Sequence, residues 1–97
     1  MADLTTLFAI QADLLENPKR GEVIQGCGGV SKARIADARG SKGKRGGFRF
    51  IYLYLESVET VFLLMLYAKN ERAVLSGDEK KIIATLAKQY KEFYGEE

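Results

Sequence analysis

Residues 40–55 read GSKGKRGGFRFIYLYL, and how this stretch folds decides the architecture of the whole chain. Its first half interleaves Gly40, Gly43, Gly46 and Gly47 with Lys42, Lys44 and Arg45, a mixture that favours a turn over any regular element. Its second half, FRFIYLYL at 48–55, is an aromatic and aliphatic run interrupted only by Arg49, and reads as a strand. Upstream, VSKARIAD at 30–37 alternates, so Val30, Lys32, Arg34 and Ala36 share one face while Ser31, Ala33 and Ile35 share the other. This is a strand with a cationic face. Downstream, SVE separates the central run from a third strand near 60–68. The spacings leave no room for a helical crossover, so the three strands are predicted to be antiparallel neighbours in a meander.

Helices flank this sheet. In DLTTLFAIQADLLE, residues 3–16, the residues Leu4, Leu7, Phe8, Leu14 and Leu15 are placed on a helical stripe, and Asn17-Pro18 ends it because the residue before proline is pushed out of the helical region. GEVIQGCGG, 21–29, reads as a loop containing a very short extended piece. Near the C-terminus Ser76 stands three residues before Glu79, the spacing of a capping box, and opens a helix whose apolar stripe is Ile82, Ile83, Leu86, Ala87, Tyr90, Phe93 and Tyr94. The expected fold class is α+β: an antiparallel β-sheet meander of three or more strands with an N-terminal and a C-terminal helix, in a single domain over 1–97.

Composition excludes several chemistries. The longest apolar stretch, VFLLMLYA at 61–68, is far short of the roughly 20 residues of a membrane-spanning helix, and Asp3 stands where a secretion signal needs positive charge. A cytoplasmic location without membrane contact is expected. The chain has one cysteine, Cys27, and no histidine, so no internal disulfide, metal site or cofactor is expected. Neither glycine cluster matches a nucleotide-binding loop: GCGGVSK leads into a strand, and GSKGKRGG lacks the lysine-serine pair that opens a helix. A serine or cysteine hydrolase would need a base near neutral pH. Asp13 and Glu16, one helical turn apart, read as a solvated face rather than an acid–base pair.

Charge is distributed unevenly. Residues 18–50 carry nine cations against Glu22 and Asp37, whereas the remainder carries six cations against eleven anions. Such a split focuses positive potential on one part of the surface, where a phosphate-bearing polyanion is the natural partner. Lys32 and Arg34 on one strand, Arg49 on the next, Lys44 and Arg45 at the intervening turn and Lys69 after the third strand are the candidates to converge. Register decides whether they do, since a slip of one residue sends Arg49 to the face opposite Lys32 and Arg34. The plainer alternatives are an ion pair of Arg49 with Glu56 or Glu59, and a solubilising role for Lys44 and Arg45. Tyr52 and Tyr54 belong either to the core or to a base-stacking platform.

The ordered segments ENPKRGEVIQGCGGVSKARIAD, GKRGGFRFIYLYL, VFLLMLYAKNE and LSGDEKKIIATLAKQY resemble the HigB-like branch of the RelE/ParE toxin superfamily over residues 7–92 or so. The resemblance implies a RelE-like fold and a toxin of a type II toxin–antitoxin system. Its implied activity is a ribosome-dependent, metal-independent endoribonuclease, or mRNA interferase, that inhibits translation and is silenced by a cognate antitoxin. Carried over residue by residue, it casts Arg49 as the clamp on developing phosphate charge, Lys32 or Lys69 as proton-transfer groups and Tyr67 as the catalytic tyrosine. Arg34, Lys42, Lys44 and Arg45 are then RNA-binding. A lysine crowded by cations gives up its proton more readily and can then serve as a base, whereas an arginine stays charged.

Three departures bear on this expectation. Ser31 stands where the family has an arginine, and Ala33 where it has a bulky aliphatic residue. Family members also begin with a strand and a helix ahead of the region matching residues 3–16. Without that strand a sheet edge is open, which predicts pairing with an antitoxin segment or with a second copy. Two other functions stay open: a homologue that binds antitoxin or RNA without cutting, and a ParE-like gyrase inhibitor. The dense basic strand and turn favour RNA over gyrase.

Overall fold

The computed structural model describes residues 4–36, 47–68 and 75–95. In chain order these form helix α1 (Leu4–Glu16), strands β1 (Glu22–Val23), β2 (Ser31–Ile35) and β3 (Phe48–Leu55), a 3-10 turn (Glu56–Val58), strand β4 (Thr60–Ala68) and helix α2 (Gly77–Phe93). The strands make one sheet in the order β1-β2-β3-β4, with every neighbouring pair antiparallel. The expected α+β meander is present. Its additional strand, β1, is the two-residue extended piece within GEVIQGCGG.

The central strand explains the layering. Phe50 and Tyr52 point to one side of the sheet and pack with Ile10 and Leu14 of α1; Ile51, Leu53 and Leu55 point to the other and pack with Cys27, Val30 and α2 residues Ile83 and Ala87. A strand covered on both faces needs apolar residues at every position, which is why FRFIYLYL has so little polar alternation. α1 and α2 therefore cover opposite faces.

α1 turns a different stripe inward from the one predicted, and α2 turns inward only part of its predicted stripe. α1 buries Thr6, Ile10 and Leu14, whereas Leu4, Leu7, Phe8 and Leu15 are exposed, Phe8 at 62% and Leu15 at 78%. Apolar residues lie all around this helix, so periodicity could not choose a face. The sheet takes the one spaced by four residues on which Thr6 is the small member. α2 buries Ile83 and Ala87 with Tyr90 packed beside them, and leaves Ile82, Leu86 and Phe93 exposed. Ala87 faces inward because the glycine loop comes close: a Cβ on Gly28, whose φ is +76°, would lie 3.0 Å from the Ala87 Cβ.

Local chemistry fixes the ends. The Asn17 side-chain oxygen accepts the Lys19 backbone N–H at 3.2 Å after α1 stops at Pro18. The Ser76 hydroxyl accepts the Glu79 N–H at 3.1 Å while the Glu79 carboxylate accepts the Ser76 N–H at 2.9 Å, which is the predicted capping box.

One irregularity shapes the sheet. Along β3 and β4 Tyr52 pairs with Leu63, but Ile51 pairs with Met65, so Leu64 is an extra residue, a β-bulge. Leu64 and Met65 both pack toward α2. Beyond the bulge Tyr67 stands opposite Arg49; continued without it, the pairing would set Leu66 opposite Arg49 and turn Tyr67 to the α1 face.

Candidate functional site: a cationic recess between the sheet and α2

The register resolves the question that sequence left open. Arg34 pairs with Arg49, and Arg49 pairs with Tyr67, so the three form a row across β2, β3 and β4. Directly opposed residues share a face, which by strand alternation is the face of Ile51 and α2. Lys32 lies on that same face, opposite Ile51. The basic residues of β2 and β3 do converge.

Lys32, Arg49 and Tyr67 line one recess of about 100 Å³, with Lys80 of α2 as its other polar wall and Ile24, Ile51 and Leu75 as its apolar lining. Arg34 is exposed beside it, opposite Arg49 on the neighbouring strand. Two guanidinium side chains in directly opposed positions repel one another unless an anion lies between them. This arrangement prepares the recess for negative charge.

Arg49 itself is half-buried, and its Nε–H is buried with no acceptor among the described residues. A buried donor left without a partner costs about 1–3 kcal/mol, and such groups mark positions held for something other than stability. The ion-pair alternative finds no support, since Glu56 pairs with Lys19 at 3.4 Å and Glu59 lines a groove beside α1. Asp13 holds Arg20 at 3.0 Å.

Tyr52 and Tyr54 are structural. Tyr52 is fully buried and its hydroxyl accepts the Gly21 N–H at 2.9 Å, while Tyr54 packs against the α1-side core. Lys42, Lys44, Arg45 and Lys69 lie outside the described residues. Lys80 is the residue that the sequence reading missed. It precedes Ile83 by three positions and Ala87 by seven, so it belongs to the inward stripe of α2, and the capping box already located the turn that carries it.

A wider groove of about 440 Å³ runs between α1 and β4, with Leu7, Ile10, Leu14, Leu15, Val61 and Leu63 along it. It is apolar and lies on the other face. Phosphate chemistry has no counterpart there.

A family model described as the RelE toxin of the RelE/RelB toxin–antitoxin system matches residues 15–97. The chain belongs to the RelE toxin family. The matched span contains every strand and α2, hence every residue of the recess. RelE-family toxins pair with antitoxins, which gives this chain its toxin role. No helix among the described residues is long and apolar enough to cross a membrane.

Proposed function

We propose that this RelE-family toxin is of the HigB-like type and acts in the cytoplasm as a ribosome-dependent mRNA endoribonuclease, its single domain spanning residues 1–97. The observation that carries the reading is the buried, unpartnered Nε–H of Arg49 in a recess it shares with Lys32 and Tyr67. In the proposed reaction the ribose 2′-oxygen bonds to the adjacent phosphorus and the bond from phosphorus to the 5′-oxygen breaks. A 2′,3′-cyclic phosphate and a 5′-hydroxyl result. Lys32 or Lys69, acting as the base, takes the 2′-hydroxyl proton, and the Tyr67 hydroxyl gives a proton to the leaving oxygen. Arg49 donates to the non-bridging oxygens, whose charge grows as the phosphorus becomes five-coordinate. Arg34, Lys42, Lys44 and Arg45 hold the strand on either side.

Cleavage of a translated mRNA in a reconstituted ribosome system, with the RNA ends mapped, tests this reading. Cuts that need both ribosomes and Arg49 support it. Intact RNA with folded protein leaves a toxin that binds without cutting, and altered DNA topology instead would point to gyrase.

The partner proposed for this chain is a cognate antitoxin, with a copy of itself as the second candidate. β4 is an edge strand of nine residues, TVFLLMLYA, with no charge and no proline to discourage a further strand. Sedimentation of the protein alone distinguishes the two: self-association belongs to the second, a monomer to the first.

A further inference from the structure

The sheet supplies Lys32, Arg49 and Tyr67 from one side of the recess, and α2 supplies Lys80 from the other. We infer that Lys80 is a phosphate-contacting residue, the group that closes the anion site from the helix side; the inference rests on the phosphate reading above. Three observations converge on it. The recess has room for roughly three waters at about 30 Å³ each, enough for a phosphoryl group. A phosphoryl group held by β2 and β3 alone would have its remaining oxygens facing α2, and Lys80 is the polar residue of α2 that lines the recess. Its position is also fixed. The Lys80 N–H donates to the Ser76 carbonyl at 3.0 Å, so the ammonium projects from a helical turn that the Ser76–Glu79 box holds in place.

Lys81 provides the internal control. It carries the same charge one residue further along, but lies with Ile82, Thr85 and Leu86 on a different part of α2. Long-range attraction treats the two lysines alike, whereas a direct phosphate contact does not.

The experiment measures binding of a 2′-O-methyl RNA oligonucleotide, which lacks the attacking hydroxyl, to wild type, Lys80→Ala, Lys80→Arg and Lys81→Ala over a range of salt. The expected result is that Lys80→Ala weakens binding about tenfold at low salt and flattens the slope of log K against log salt by about 0.7, the contribution of one phosphate on a single strand. Lys80→Arg restores most of both, and Lys81→Ala changes neither by more than about twofold. Equal behaviour of Lys80→Ala and Lys81→Ala overturns the assignment of Lys80 while leaving the phosphate site standing. Absence of binding by folded wild type at low salt overturns both together.

Discussion

Arg49 shows how a single residue can be placed against the interest of the fold. Its aliphatic stem lies in a strand that is otherwise core, and its buried Nε–H finds no acceptor among the described residues. Arg49→Met keeps the stem and removes the orphan donor. Thermal unfolding is expected to show a variant equal to wild type or up to about 2 kcal/mol more stable. Cleavage in the ribosome assay is expected to fall at least 100-fold, because no other group replaces the guanidinium. A loss of both stability and activity would mean that Arg49 is structural. Gly21 is the opposite case, a residue held entirely for the fold. A Cβ there would lie 2.7 Å from the Tyr52 hydroxyl and 2.9 Å from the Lys32 carbonyl. Gly21→Ala must push β1 away from a fully buried tyrosine and is expected to cost about 1–3 kcal/mol in denaturant unfolding. Gly21→Ala/Tyr52→Phe is expected to recover little of that loss, because the Lys32 carbonyl and the ring edge still lie 2.9 Å from the new methyl group and the bond to the Gly21 N–H is gone.

At the scale of elements, α2 reaches the cationic recess through its first turn. Ser76→Ala removes the hydroxyl that accepts the Glu79 N–H and is expected to destabilise the protein by about 1 kcal/mol. Because the same turn carries Lys80, RNA affinity is expected to fall in Ser76→Ala, and by less than in Lys80→Ala. Unchanged affinity alongside lowered stability would separate the cap from the site. The elements were legible in sequence where a local rule acts: proline after α1, the capping box before α2, and unbroken apolar composition in β3. They were not legible where a face had to be chosen. α1 offers Leu4, Leu7, Phe8, Leu14 and Leu15 as readily as the Thr6, Ile10 and Leu14 that it buries, and only contact with the sheet distinguishes the two sets. Lys80 escaped for a related reason, since one lysine beside Lys81 in a charged helical turn has no local mark.

The molecule as a whole is a sheet that separates two cores, with the cationic recess confined to the α2 side. Convergence of Lys32, Arg34 and Arg49 followed from alternation along β2 and β3 once their register was known. Tyr67 did not follow, because its side depends on the extra residue at Leu64. Position 64 therefore acts as a parity bit. Counted back from Ala68 to the bulge, every residue of β4 has the assignment opposite to the one a regular ladder would give it. Deleting Leu64 alone removes the bulge and keeps the assignment, since Met65 then follows Leu63 directly and still meets Ile51, with Tyr67 still opposite Arg49. That variant is expected to retain cleavage, with Tyr67 still protected from iodination by bound RNA. Deleting Leu63 and Leu64 together sets Tyr67 opposite Phe50, turns the tyrosine to the α1 side and is expected to abolish cleavage, so length changes near this position are sorted by oddness rather than by size.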